Sequence, residues 1–323
     1  MDIHISSAQL RDAVLALPAM AAWPDAAAVF PARPDEPLRF DWQLPVLACR
    51  AVGGSEEAAL PAAAAVACLQ ISIILADDVL DQDPRGAHHR LGVGRTANLA
   101  LAFQAAALAL LGRAPAPAEA RSAAQAALAD AALATAFGQE LDVQNLQGEA
   151  NYWRVVKAKS TPFYAAAVQI GALLGDADAP TAQGIHDLGV LLGEMIQIFD
   201  DLTDAFQSPA NPDWTEGRNN LALLYARTAE HPRRRELLDL IPRTAEPEAL
   251  AAAQEILIGS GAVSYCVYQW LARYRAAMAL LARLRLADPR PLAEAVEVQM
   301  APLRHWLAGI GIAGPAGLEQ MIL

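Results

Sequence analysis

A long apolar run that ends in a group of aspartates is the feature that most constrains the fold of this chain. It occupies residues 58–80 and reads AALPAAAAVACLQISIILADDVL. A second run, residues 195–204, reads MIQIFDDLTD. We call the carboxylates at the end of the first run the first acidic cluster, which is Asp77, Asp78 and, one residue beyond the run, Asp81. The second acidic cluster is Asp200, Asp201 and Asp204. Because side chains four positions apart share one face of a helix, each run predicts a helix with carboxylates at its C-terminal end.

The composition favours helices throughout the chain. Hydrophobic residues make up 54% and charged residues 19%, so the chain can bury a large core. Ala and Leu dominate over β-branched residues, which is typical of an all-α protein. No linker suited to separating domains is visible, so we expect one domain over residues 1–323, with a helix and a Pro-rich connector in residues 1–40. Helices are predicted over residues 6–22, 41–52, 58–80, 95–112, 118–146, 150–174, 181–206, 220–230, 247–259, 261–285 and 290–309.

Net charge and cysteine content limit the partners and the compartment. The formal net charge is −12, which disfavours binding to nucleic acid and to anionic membranes. The three cysteines show neither zinc spacing nor a disulfide framework, and the N-terminus lacks a signal-peptide pattern. We therefore expect a cytoplasmic protein. Residues 58–76 raise the question of a membrane span, but Pro61, Gln70 and the terminal aspartates favour a buried core helix.

The position of the acidic clusters predicts a metal site. The C-terminal end of a helix carries partial negative charge, and adjacent carboxylates repel one another, so each cluster calls for a compensating cation. Oxygen ligands of this kind suit Mg²⁺, which keeps waters and shares itself with a substrate phosphate. The alternative is a pair of acidic helix ends that face solvent.

Cationic residues close to the clusters are candidates for binding an anion. Lysine occurs only at Lys157 and Lys159, in KAKS, and its compact charge suits phosphate neutralisation. Arg218 lies in a loop fourteen residues after the second cluster. Arg85 and His89 follow the first cluster. The alternative for each is a solvated surface charge.

Polar residues on the apolar helices are candidates for orienting the metal ligands. Gln139 and Asp142 lie in GQELDV, and Gln197 precedes the second cluster by three residues. Polar side chains beside metal-binding carboxylates commonly hold them in place by hydrogen bonds. Ordinary helix surface positions are the alternative.

These motifs together resemble the trans-isoprenyl diphosphate synthase (polyprenyl synthetase) family. The resemblance extends from about residue 44 to about residue 225 and rests on ILADDVLD, GQELD, KAKS, LGVLLGEMIQIFDDLTD and DWTEGRNNLALL, in the family's order. It implies an all-α, antiparallel helical bundle of the isoprenoid synthase type around a deep central cavity. It also implies a homodimer and Mg²⁺, about three ions with bound diphosphate.

The resemblance also implies roles for particular residues. The first acidic cluster would bind Mg²⁺ and the diphosphate of an allylic prenyl substrate, and the second cluster a further Mg²⁺. Lys159 and Arg218 would bind the same diphosphate. Ionisation of the allylic substrate would give a carbocation, which the double bond of isopentenyl diphosphate then attacks.

The chain departs from the family where isopentenyl diphosphate is expected to bind. A Gly-Gly-Lys-Arg segment is replaced by RFDWQLP, with Asp41 and Trp42 in place of the cations and Arg39 close by. Gln70 replaces a histidine. Two outcomes stay open. One is a divergent elongating synthase in which Arg39, His88, His89 or Arg90 replaces the lost cations, and the other is a class I terpene cyclase-like enzyme that uses only the allylic substrate. A non-catalytic subunit of a heteromeric synthase is a third.

Residues before the first cluster bear on product length. In the family, aromatic side chains four and five positions before the motif stop the product short, and here those positions are Ile73 and Ser72. A C20 or longer prenyl chain is therefore expected. The alternative is that other helices close the cavity and Ser72 only packs.

Overall fold

The computed structural model describes residues 3–30 and 38–311. The described residues contain helices and no β-strand, which confirms the all-α prediction. The helices are α1 (Ser7–Leu15), α2 (Pro18–Ala21), α3 (Pro24–Val29), α4 (Phe40–Ala51), α5 (Glu56–Leu80), α6 (His88–Leu91), α7 (Val93–Gly112), α8 (Ala118–Val143) and α9 (Glu149–Lys159). They continue with α10 (Thr161–Leu174), α11 (Ala179–Ala205), α12 (Pro212–Thr215), α13 (Leu221–Thr228), α14 (Arg234–Leu240), α15 (Pro247–Gly259), α16 (Ala262–Leu281), α17 (Arg290–Glu297) and α18 (Met300–Gly309).

Side-chain caps fix the ends of the helices that carry functional residues. The hydroxyl of Ser55 accepts a hydrogen bond from the Ala58 amide and begins α5. The side chain of Asn220 accepts from the amides of Ala222 and Leu223 and begins α13. Such caps satisfy amides that the first turn of a helix leaves without partners.

Helix breaks correct several predicted boundaries. The first predicted helix divides into α1 and α2 because Pro18 begins a new helix after an extended Leu17. The helix predicted over residues 150–174 divides at Ser160 into α9 and α10. Part of the Pro-rich connector is helical as α3, and its residues 31–37 lie outside the described residues. The last predicted helix is two, α17 and α18.

The chain forms two compact units. The first comprises Met1–Ala136, Pro162–Val190 and Leu280–Ala295. In it, α5 packs against α1, α4 and α7, with a run of fully buried alanines along its middle. Gly171 of α10 allows an equally close approach, since a Cβ there would lie 2.0 Å from the Pro45 carbonyl oxygen of α4.

The second unit comprises Phe137–Thr161, Leu191–Ala279 and Val296–Leu323. Its core includes the fully buried indoles of Trp214 and Trp270. The indole nitrogen of Trp214 donates to the carbonyl oxygen of Ala205, 2.9 Å away, and so ties α12 to the end of α11. The single-domain interpretation of the sequence stays a prediction.

Among the described residues, two helices are long and apolar enough to cross a membrane, namely α5 and α7. The pair α15 and α16, bent by 55°, passes the same test if it is taken as one span. In the most apolar part of α5, 72% is buried inside the protein, against 39% in α7. This burial is what the sequence predicts for α5 as a core helix.

Candidate functional site

The first acidic cluster lies at the C-terminal end of α5, in the first unit. Asp81 ends the helix, and its amide donates to the Asp77 carbonyl oxygen at 2.8 Å. Burial raises the pKa of Asp78, and the nearby negative charges of Asp83 and Asp77 raise it further. The carboxylates therefore crowd one helix end as the sequence predicts, and a bound cation would relieve their repulsion.

The loop after the first cluster is organised by Asp83. Its carboxylate accepts from the Arg85 side chain at 2.8 Å and 3.1 Å and from the Arg85 backbone amide at 2.7 Å, and these hydrogen bonds lower the pKa of Asp83 to about 2. The His89 ring nitrogen lies 3.0 Å from the Asp83 carbonyl oxygen. Both predicted anion-binding residues thus contact Asp83, and the side chain of Arg85 is 88% exposed.

The residues before the first cluster differ in exposure. Ser72 is buried and Ile73 is half-buried, whereas Ile74 is 39% exposed. Ile74 lies three and four positions before Asp77 and Asp78, so it shares their helix face. Ile74 was not among the residues predicted to line the cavity, although its position three and four residues before Asp77 and Asp78 predicts the shared helix face.

Asp41 and Trp42, which depart from the family pattern, form a defined network in the first unit. The buried Trp42 indole donates to the side-chain oxygen Oε1 of Gln70 at 2.7 Å, and the side-chain nitrogen Nε2 of Gln70 donates to the Asp41 carboxylate at 2.6 Å. Arg39 lies 3.6 Å from the same Asp41 oxygen and over the Trp42 ring at 5.4 Å. Because indole is only a donor, this network fixes the orientation of Gln70 and the position of the Asp41 carboxylate.

The second acidic cluster lies at the end of α11, in the second unit, and its three members differ. Asp200 is exposed, while Asp201 is 5% exposed. Asp201 accepts from the Gln197 amide at 2.9 Å and from the Leu221 amide at 2.8 Å. Burial raises the pKa of Asp201 to about 8, against the lowering effect of these hydrogen bonds. Asp201 therefore joins α11 to the start of α13.

Asp213 is a further acidic residue that sequence reasoning missed. Burial raises its pKa, and its carboxylate accepts from Asn220 at 2.9 Å. Burial and the charge of Asp213 together raise the pKa of Asp204 to about 6. The sequence signal for Asp213 was its place in DWTEGRNN, the motif that also contains Arg218.

Asp201 predicts a pH dependence of stability. Its folded-state pKa lies above the ordinary value of 3.8. The contribution of Asp201 to the free energy of unfolding is therefore fully present below about pH 4 and is lost as pH rises towards 8. In metal-free buffer, the Tm of Asp201→Asn minus the Tm of the wild type is expected to increase by roughly 3 °C from pH 5 to pH 8.5. Calorimetry at both pH values measures it, and Asp187→Asn, an exposed change on α11, is the control. A constant difference would contradict the buried-carboxylate assignment.

The predicted cations of the second unit each contact a carboxylate. Lys159 lies at the end of α9, with its Nζ 2.6 Å from Asp142. Arg218 lies 3.0 Å from Glu216. Gln139 is buried, and the described residues offer its amide nitrogen no hydrogen-bond partner. Gln197 also accepts from the Ser160 hydroxyl at 2.6 Å, so it bridges the end of α9 and Asp201.

Gly138 sets the distance between α8 and the residues around Lys159. A Cβ at Gly138 would lie 2.3 Å from the Lys159 amide nitrogen and from the Ala158 carbonyl carbon. We expect Gly138→Ala to destabilise the fold by about 1–3 kcal/mol through overpacking and to lower activity by displacing Lys159. Gly94→Ala, where a Cβ meets nothing within 4 Å, is the matched helical control. Equal denaturant midpoints for the two variants would contradict this close approach.

The acidic residues fit Mg²⁺ when their donor chemistry is considered. Their ligand atoms are all carboxylate oxygens, which are hard donors. Among the described residues, no group of three His, Cys, Asp or Glu side chains is arranged to hold a metal ion by itself. Mg²⁺ is commonly held by one or two carboxylates together with waters and substrate phosphates, so an incomplete protein ligand set is what such a site requires. Asp201 is the least suited ligand because both its oxygens accept hydrogen bonds within the protein.

Comparison with known proteins identifies the family. The Polyprenyl synthetase family model matches residues 42–257, so the chain belongs to the polyprenyl synthetase family. A crystal structure of a polyprenyl synthase from Caulobacter crescentus CB15, complexed with calcium and isoprenyl diphosphate, is 25% identical with a TM-score of 0.72. That match covers 90% of this chain and 92% of the other. The predicted resemblance is thereby confirmed.

Curated relatives carry names of chain-elongating synthases. Geranylgeranyl diphosphate synthase from Methanosarcina mazei is 29% identical over 49% of this chain and 52% of its own length. Octaprenyl diphosphate synthase from Escherichia coli strain K12 is 30% identical over 56% of this chain and 59% of its own length. The matched region thus spans between half and two thirds of these relatives.

Proposed function

We propose that this protein is a Mg²⁺-dependent prenyl diphosphate synthase that ionises an allylic prenyl diphosphate and elongates it with isopentenyl diphosphate. One observation carries the proposal, which is the pair of carboxylate clusters that end α5 and α11 in a member of the polyprenyl synthetase family. The relatives named for geranylgeranyl and octaprenyl products support a C20 or longer chain.

The residues suit the charge that develops during ionisation. When the C–O bond to the allylic carbon breaks, its electron pair leaves with the diphosphate and a carbocation remains. Mg²⁺, when bound, neutralises the leaving diphosphate. Lys159 and Arg218 would place positive charge beside the diphosphate. To do so, Lys159 would give up its contact with Asp142, and Arg218 its contact with Glu216. Asp77 and Asp81 would hold Mg²⁺ at the first acidic cluster, and Asp200 would hold a further Mg²⁺ at the second.

Product analysis tests the proposal. Purified protein with Mg²⁺ is incubated with geranyl, farnesyl or geranylgeranyl diphosphate, with and without isopentenyl diphosphate. We expect longer prenyl diphosphates only when isopentenyl diphosphate is present. Hydrocarbons or alcohols formed without it would support the cyclase-like alternative, and absence of turnover would support a non-catalytic subunit.

The Asp41 network is the observation that favours the alternative. Arg39 and Asp41 compensate each other, so this group offers a second diphosphate no net positive charge. Gln70 and Trp42 hold the carboxylate in place. An enzyme that uses only the allylic substrate would tolerate this arrangement, because it binds a single diphosphate.

We propose also that two copies of the chain associate through α7 and α8 of the first unit. Leu101 is 65% exposed and Leu133 is 73% exposed. Exposed alanines lie one helical turn from each leucine, namely Ala97 and Ala105 on α7 and Ala129 and Ala136 on α8. The two helices are neighbours, since the Gln125 amide donates to the Leu108 carbonyl oxygen at 3.0 Å. Large exposed apolar surfaces commonly mark protein contacts.

The free cysteines, Cys49, Cys68 and Cys266, support a reducing cytoplasm.

Charge placed on this surface tests the association. We expect Leu101→Asp combined with Leu133→Asp to convert a dimer into a monomer, because two buried carboxylates would have no partners. Light scattering after size exclusion gives the mass. Leu238→Asp, an exposed change in the second unit, is the control. A wild-type monomer, or a dimer that survives the double change, would contradict the proposed interface.

A further inference from the structure

A closed polar circuit in the second unit joins α9, α11 and α16. Arg273 of α16 donates to Glu194 of α11 at 2.8 Å, and its guanidinium lies 4.2 Å from the ring centre of Trp153 on α9. The Trp153 indole donates to Glu149 at 3.1 Å. Tyr265 also donates to Glu149, which makes a link from α16 back to α9.

The remaining contacts close the circuit and give it a direction. Arg273 donates to the side-chain oxygen Oε1 of Gln269, and the side-chain nitrogen Nε2 of Gln269 donates to the Tyr265 hydroxyl at 2.9 Å. Because arginine only donates and carboxylate only accepts, the orientation of Gln269 and of the Tyr265 hydroxyl is determined. The circuit therefore has one favourable arrangement.

Burial of the Arg273–Glu194 ion pair makes it an unusual way to hold helices together, whereas Glu149, at the α9 end of the circuit, is exposed. The Arg273 side chain is 17% exposed and that of Glu194 is 8% exposed. Buried ion pairs add little net stability because their desolvation offsets their attraction, and apolar side chains of similar size serve as well. What a directional polar circuit adds is a fixed rotation and register for α9, which an apolar contact leaves adjustable.

The helix that the circuit fixes carries Lys159. Trp153 and Lys159 belong to the same uninterrupted helix, six residues apart, so a rotation of α9 at Trp153 would move the Lys159 ammonium. Charged groups that stabilise a leaving group need placement within a fraction of an ångström. We infer that Arg273 is a positioning residue that, through Trp153 and Glu149, sets where α9 presents Lys159. This inference rests on the proposed role of Lys159 in diphosphate binding.

Lysine labelling tests the inference without turnover. The chain has only two lysines, and Lys157 is exposed on the same helix, so it is an internal control. The substrate-free full-length protein is acylated with a soluble N-hydroxysuccinimide ester, and mass spectrometry follows each lysine. In Arg273→Met, we expect the Lys159 rate to change by about threefold or more and the Lys157 rate to stay within about 1.5-fold.

A paired variant guards against unfolding. Arg273→Met leaves Glu194 buried without its cation, so Glu194→Leu is added to remove both charges. We expect this pair to keep a Tm close to that of the wild type and still to change the Lys159 rate. An unchanged Lys159 rate in the paired variant, or an equal rise for both lysines, would overturn the inference.

Kinetics separates this inference from the proposed function. We expect Arg273→Met to lower kcat/KM for the allylic diphosphate about tenfold in the wild type and less than about twofold in a Lys159→Ala background. Equal losses in both backgrounds would indicate a merely structural role and would overturn the inference. If no variant turns over but the labelling result holds, the proposed function fails and the positioning of Lys159 stands.

Discussion

Replacing Asp77 or Asp200 with alanine is expected to lower kcat/KM for the allylic diphosphate by about 10³-fold or more, with the fold intact. The physical reason is the loss of a hard oxygen ligand from a site that neutralises the leaving diphosphate. Neither residue is among the buried ones, and both lie at the ends of long helices, so alanine leaves no cavity. Steady-state kinetics over a range of Mg²⁺ concentrations measures the effect.

Two matched controls distinguish the metal site from acidic helix surfaces in general. Glu57→Ala removes an exposed carboxylate at the other end of α5, and Asp187→Ala does so on α11. Both should retain turnover within about twofold, because exposed charges far from a site contribute little. Turnover that survives in Asp77→Ala and in Asp200→Ala would remove the metal-site assignment.

Lys159→Ala is expected to reduce kcat/KM for the allylic diphosphate by about 10²-fold. The lysine ammonium lies 2.6 Å from Asp142, so it is held in place before any substrate binds. Its loss removes one fixed charge from the leaving diphosphate and leaves the half-buried Asp142 without that partner. Kinetics with saturating Mg²⁺ measures the loss, and circular dichroism confirms the helix content.

Two further variants sharpen the role of this lysine. Lys159→Arg keeps the charge but replaces a compact ammonium with a planar group, so we expect partial recovery. Lys157→Ala removes the exposed lysine of the same helix and should be near neutral. If Lys157→Ala costs as much as Lys159→Ala, the assignment of Lys159 is wrong.

Much of the fold was readable from local sequence patterns. Long apolar runs predicted the helices α5 and α11 to within a few residues. The break at Ser160 was missed, although Pro162, two residues later, is a residue that ends one helix and begins the next. Short helices such as α3 and α12 lie in Pro-rich segments, where local composition indicates a loop.

Candidate site residues could be predicted where a chemical pattern follows from spacing along one helix. The two acidic clusters were predicted in this way, and Lys159 from the rarity of lysine in the chain; their roles in binding metal and diphosphate stay predictions. Asp213, Glu194 and Arg273 were missed because their partners lie far away in sequence, and Arg273 and Glu194 are 79 residues apart. The differing burial of Asp200 and Asp201, which are neighbours in sequence, likewise depends on how α13 packs against α11.

The most direct test of the account is the metal dependence of diphosphate release. Purified protein is mixed with geranylgeranyl diphosphate and isopentenyl diphosphate, and inorganic diphosphate is measured with Mg²⁺ and then with excess EDTA. We expect release with Mg²⁺, almost none with EDTA, and recovery when Mg²⁺ is restored. Equal release in EDTA would contradict a Mg²⁺-dependent ionisation by the two acidic clusters.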